Sequence, residues 1–224
     1  MKVAILVSGC IRNEGSSGKY YNDKIFKNFD TDIFVHTWNI NGKRRGRKVN
    51  INENKISQKN INEMLDCYKP VKYLIEDMKK ITKTKMKNII ITTKKRLYIN
   101  FWCQIYGLYQ VNKLKIEYEK ENNIKYDVVI RLRFDKSVDF GDKIGEITKE
   151  KLENCINKKL WHKNLRCHDR FFVLPNTIAD NFFEKLWERI TTKKLLTKYR
   201  SFKGAVSVDL LIIGTIFEFN NKFK

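Results

Sequence analysis

The sequence predicts an α/β fold, a mostly parallel central sheet flanked by helices in one domain over residues 1–224. Three observations predict it. Short runs rich in Val, Ile and Phe alternate with longer segments whose apolar residues recur every three or four positions, the pattern of strands joined by crossover helices. A chain of 224 residues suits one sizeable core and is short for two. Apolar residues make up 42% of the chain and Pro occurs twice, so a core is affordable and long disordered segments are not expected.

The elements follow in order. "KVAILVSGC" is a compact apolar run ending at a glycine, a buried strand that enters a loop, and "NEGSSGKYY" continues that loop. "DIFVHTW" is a second strand. "NINGKRRGRKVNINEN" is polar, basic and aperiodic, hence a long loop. "SQKNINEMLDCY" is helical, with Ser57 as N-cap and Pro70 as the stop. "VKYLIED" is a third strand, and a ragged basic stretch from Met78 to Lys95, holding the apolar run "NIIIT", follows it. From Arg96 to Asn122 runs the longest helical pattern, with Phe101, Ile105, Leu108, Val111, Leu114 and Tyr118 on one face. "YDVVIRLRFD" is the fourth strand, and "TKEKLENCI" a short helix capped by Thr148. "KLWH" and "DRFFVLP" are strand-like. The next helix, capped by Asn176, turns Phe182, Phe183, Leu186, Trp187 and Ile190 inward. "SVDLLIIGTIFEF" closes the chain as a helix, with a strand as the alternative.

In open α/β sheets ligands bind beyond the carboxyl ends of the strands. After the first strand come Ser8, Gly9 and Arg12: a glycine that lets backbone approach a ligand and a forked cation suited to phosphate. The spacing is neither that of a Walker loop nor of the dinucleotide fingerprint, and a tight turn with a solvated arginine is an equal reading. After the second strand come His36 and Trp38, which fit a base or sugar; the reading that weighs more for a lone histidine is a bond to a backbone carbonyl, with Trp38 as a plug in the core. After the fourth, Arg131, Arg133 and Asp135 share one face by the period of two. Buried charges on a central strand are costly unless paired or ligand-bound. They form either an internal ion-pair network reaching Glu76 or Asp77, or a diphosphate site in which arginines take phosphate oxygens and the carboxylate holds a divalent metal. Asp169, at the start of the run "DRFF", is a general base or a turn residue.

The net charge is +21, from 46 Lys and Arg against 25 Asp and Glu. Such a field attracts polyanions, and draws in nucleic acid or phosphorylated ligands. The lysines are spread throughout alongside abundant Asn and Ile, which reads as compositional drift. No zinc-finger, RNA-recognition or basic-zipper signature accompanies the run "GKRRGRK". The five cysteines, 10, 67, 103, 155 and 167, are odd in number and form no C-x-x-C, so free thiols in a reducing compartment are expected. No apolar run is long enough to span a bilayer or to form a signal-peptide core, and no N-x-S/T sequon occurs, so the expected location is the cytoplasm, of a host cell if the chain is viral.

Five segments in a familiar order carry a resemblance: "VAILVSGCIRN", "DIFVHTW", "KPVKYLIEDMK", "NFWCQIYGLYQVNKLKIEYEKENNIKYDVVIRLRFD" and "HDRFFVLPN". Together, from Lys2 to about Trp187, they resemble the small GT-A-like glycosyltransferases of bacterial surface-polysaccharide clusters and large DNA viruses. The resemblance implies a Rossmann-like GT-A-type domain. It implies transfer of a sugar from a nucleoside diphosphate sugar to a hydroxyl of a glycan or other acceptor, with Mn²⁺ or Mg²⁺. It places Ser8, Gly9 and Arg12 in the first nucleotide-binding loop, His36 and Trp38 beside the nucleotide pocket, and Gln104 toward the donor. It sets Arg131, Arg133 and Asp135 where such enzymes carry a D-x-D motif, and Asp169 as the base of an inverting transfer. Residue 133 departs from that motif: an arginine stands where an acid belongs, which leaves Asp135 as the single metal ligand and makes the metal optional. A basic nucleic-acid-binding protein and a catalytically inactive sugar-nucleotide-binding relative are the alternatives. Oligomeric state is open.

Overall fold

The computed structural model describes residues 1–11, 14–40, 55–85, 95–134, 147–157 and 171–191; of residues 14–17, 24, 85 and 95–101 it describes the backbone. Five strands form one sheet in the order β3-β2-β1-β4-β5. They are β1 (Lys2–Gly9), β2 (Asp30–Trp38), β3 (Lys72–Glu76), β4 (Val128–Leu132) and β5 (Phe171–Pro175). β1 pairs in parallel with β2 and β4, β2 with β3, and β5 joins β4 antiparallel. The central strands β1 and β4 are almost wholly apolar because helices cover both faces. The expected mostly parallel sheet flanked by helices is what the chain builds.

Among the described residues six helices surround it: α1 (Glu14–Lys24), α2 (Gln58–Tyr68), α3 (Met78–Lys85), α4 (Lys95–Asn122), α5 (Lys149–Asn157) and α6 (Asn176–Thr191). A short 3-10 turn, Phe26–Asn28, leads into β2. α4 is the crossover from β3 back to β4. Its 28 residues run about 40 Å, and it packs on β1, β2, β3 and α6. Ile105, Leu108 and Val111 are buried along it as the periodicity predicts. One core layer joins α4 and α6 to Ala4, Leu6, Phe34, Trp38 and Val129. The other places Val3, Ile5, Val7, Ile33, Ile130 and Leu132 with α1, α2 and α5.

Both predicted caps on α2 and α5 form. The Ser57 hydroxyl accepts from Asn60 N at 3.2 Å, and the Thr148 hydroxyl from Lys151 N at 3.3 Å. Three expectations are corrected. "EGSSGKYYNDK" is helix α1 instead of loop. Its composition opposes helix, but Gly18 lets it seat directly on α2, where a Cβ would lie 2.7 Å from Cys67 Cβ. The stretch after β3 begins with a helix, α3, whose start Asp77 caps by accepting from Lys80 N at 2.9 Å. Asn176 opens α6 but turns its amide elsewhere, donating to Glu119 Oε1 at 2.9 Å and accepting from the Lys115 ammonium. The predicted long basic loop beyond residue 40, the run "NIIIT", "KLWH" and the closing segment lie outside the described residues.

Candidate functional site

The chain leaves β1 toward β2 and β3 on one side and reaches β4 on the other, so the strand order reverses between β1 and β4. Their carboxyl ends therefore flank a topological switch point, the place where open sheets of this kind bind ligands. The register ends at Val7 opposite Leu132, so Ser8 and Gly9 sit beside Arg133 at the rim. Gly9 has φ 141°, a value that suits glycine alone, and faces the Phe134 ring.

Arg131 points from β4 into the layer beneath α4 and is 0% exposed. Its guanidinium donates through Nη2 to the Ser8 carbonyl at 2.9 Å. That bond ties the end of β4 to the end of β1 and fixes the Ser8–Gly9 peptide. A permanent cation thus lies under the rim, and Arg133, half-buried, follows it. Arg131 is sealed and Arg133 half-buried, so the two differ in depth.

Next to them His36, Glu76 and Tyr106 form a polar cluster. His36, on β2, is fully buried and hydrogen-bonds through Nε2 to Glu76 Oε2 at 2.9 Å. Tyr106, on α4, donates its hydroxyl to Glu76 Oε1 at 3.0 Å. Burial holds His36 below the ordinary imidazole range; the Glu76 bond and charge oppose that, and the Arg131 charge adds to it. A neutral His36 therefore donates Nε2–H to the carboxylate and turns the bare Nδ1 toward α4. The Glu76 side chain keeps 16% exposure at the mouth of β3. Glu76 thus gathers a histidine and a tyrosine at the edge of the mouth.

Trp38 is buried, edge-on to His36 at 4.9 Å and stacked on Tyr106 at 5.5 Å. Tyr106 stacks in turn on Trp102 at 5.0 Å, and Trp187 of α6 caps both edgewise. Trp38 and His36 thus form the packed floor, with His36 bonded to a carboxylate and not to a backbone carbonyl. Gln104 is half-buried on α4 in the turn preceding Gly107. Arg12, Asp135 and Asp169 lie outside the described residues.

Gly107 is what lets α4 settle on this floor. A Cβ there would lie 3.0 Å from His36 Nδ1 and 3.6 Å from Ser8 Cβ. In an exposed helix, Gly→Ala stabilises by about 1 kcal/mol. Here we expect Gly107→Ala to destabilise by roughly 1–3 kcal/mol, the cost of overpacking, read as a lowered Tm. A raised Tm would disprove the close seat.

At the β1–β4 mouth the described residues supply two guanidiniums, the sealed Arg131 and the half-buried Arg133. Among the described residues no group of three or more His, Cys, Asp or Glu could hold a metal ion. Asp135, the carboxylate expected to hold Mn²⁺ or Mg²⁺, lies outside the described residues. No helix among the described residues is long and apolar enough to cross a membrane. The chain matches no protein-family model, and no curated protein matches it.

Proposed function

We propose that this protein is a glycosyltransferase that moves a sugar from a nucleoside diphosphate sugar to a hydroxyl of a glycan or another acceptor. The observation that carries the reading is the buried Arg131 bonded to the Ser8 carbonyl at the switch point of a mostly parallel sheet. A nucleoside diphosphate is the leaving group, and negative charge grows on its bridging oxygen as the sugar departs. Arg133 at the rim and Arg131 beneath it hold positive potential there before reaction begins, which is how preorganised charge lowers a barrier. Gly9 admits the diphosphate close to the backbone. Glu76, two strands from β1 and so about 10 Å away, accepts hydroxyls of the ribose or of a sugar. Asp169 takes the proton of the acceptor hydroxyl in an inverting displacement. The basic protein concentrates the anionic donor.

A thermal-shift screen of nucleoside diphosphate sugars, with and without Mn²⁺, tests the reading, because a ligand that binds the native state raises Tm. We expect one donor class to raise Tm. Asp135→Ala should then abolish transfer with the fold intact, and Asp169→Asn should collapse turnover while sparing donor binding. Full activity in Asp135→Ala would remove that residue from the site. Salt-sensitive binding to generic DNA, with no response to any sugar nucleotide, would make the chain a nucleic-acid binder instead.

A further inference from the structure

The α4 face of β1 carries a second chemistry that does not depend on what the mouth binds. At the level of Ser8, a Cβ on Gly107 would lie 3.6 Å from Ser8 Cβ. Disulfides span Cβ atoms about 3.5–4.5 Å apart, so α4 approaches β1 to disulfide distance. α4 runs antiparallel to β1, since it returns from the mouth of β3 to the start of β4. Four residues back along α4, about 6 Å toward the mouth, stands Cys103. Cys10 follows Gly9 directly, just beyond the end of β1. Both cysteines thus meet the same apolar layer between α4 and the end of β1. Cys10 is half-buried and packs against the apolar cluster that contains the buried Cys103. Burial, and then the neighbouring Cys10, hold the Cys103 thiol well above the usual thiol range.

We propose that Cys10 and Cys103 are an oxidative modification site, in which a peroxide joins the two sulfurs in a reversible disulfide that ties the end of β1 to α4. The two positions divide the labour. Cys10, the more open thiol, attacks the O–O bond of hydrogen peroxide, becomes a sulfenic acid and releases water. Cys103, sealed from solvent, then attacks the Cys10 sulfur and expels a second water. Two thiols and one peroxide give one disulfide and two waters. Reduction by a small thiol reverses the bond through a mixed disulfide at the accessible Cys10. The bond adjoins Gly9, so it restrains the backbone at the switch point itself. A pair of this kind fits a compartment in which structural disulfides are absent and transient ones carry signals.

The test uses the whole chain. Purified protein is treated with hydrogen peroxide, alkylated, digested without reduction and analysed by mass spectrometry. We expect a Cys10–Cys103 linked peptide, two hydrogens lighter than its parts, that dithiothreitol separates. The oxidised protein should gain about 5–15 °C in Tm because the cross-link closes a long loop. Cys67, half-buried on the far layer, should stay alkylatable throughout. In Cys103→Ala, or Cys103→Ser if the alanine variant is unstable, Cys10 should accumulate as a sulfenic acid that dimedone traps. Over-oxidation of Cys10 in the wild type with Cys103 still alkylatable, or linkage of Cys10 to a second chain, would overturn the assignment.

Discussion

Lys115→Ala should lower Tm by about 6–20 °C. The ammonium of Lys115 is 0% exposed, deep under α4 at the end of the sheet opposite the mouth. It bonds the Asn176 amide oxygen, lies 3.3 Å from Glu119 and 2.9 Å from Asp180. Glu119 is equally sealed, and it also accepts from Tyr126 N at 3.2 Å and from the Asn176 amide at 2.9 Å. This cluster fastens α4 to the start of α6 and to the turn that enters β4. Removing one partner of a buried ion pair costs about 3–5 kcal/mol because the other charge stays desolvated, and each kcal/mol moves Tm by about 2–4 °C in a domain of this size. Lys115→Met keeps the stem and removes the charge, so it isolates the electrostatic part. Adding Glu119→Gln to Lys115→Met should recover part of the loss; strict additivity of the two would show that they do not interact.

The same cluster fixes the sign of an acid transition. Burial pushes the Glu119 carboxyl up, but Lys115, the Tyr126 N–H, Lys125 and Asn176 together bring it below its ordinary value. A carboxyl depressed in the folded state contributes stability above its unfolded value, near 4.5, and that stability is lost as pH falls through the folded value. Thermal unfolding followed from pH 6 downward should therefore show Tm falling below about pH 4.5, with a shallower fall in Glu119→Gln.

Nothing in the sequence marks Lys115 as buried. Lys and Glu four apart on a helix are the usual sign of a solvated pair, and only the landing of α6 on this stretch of α4 encloses them. The strands were legible because their apolar runs carry enough burial to override neighbours, and the caps at Ser57 and Thr148 because capping is local. α1 was not, since what holds it is a contact across the chain between Gly18 and Cys67. The rule that ligands meet strand ends led to Ser8, Gly9, Arg131 and Arg133. It passed over Glu76, Tyr106 and Gly107, because a cluster drawn from two strands and a helix has no spacing to read. The alternative of an ion-pair network pointed toward Glu76, and Glu76 does anchor a network, with His36 and Tyr106 as partners.

Arg131→Met should cut kcat/KM about 10- to 100-fold in the proposed transfer, a loss of roughly 1.4–2.8 kcal/mol of transition-state stabilisation. Arg131 acts here as a positioning residue. It is sealed beneath the rim, so it works through the Ser8–Gly9 peptide it holds and through its charge. Two readouts separate that role from simple packing. Its charge opposes protonation of His36, so Arg131→Met should raise the His36 pKa, visible by NMR because the chain has three histidines. Arg131→Lys keeps the charge but loses the fork that reaches the Ser8 carbonyl. It should therefore leave the His36 pKa low while kcat/KM still falls. An unmoved His36 in Arg131→Met would show that the guanidinium charge does not reach the floor of the mouth. Full activity in Arg131→Lys would show that the Ser8 bond does not position the site.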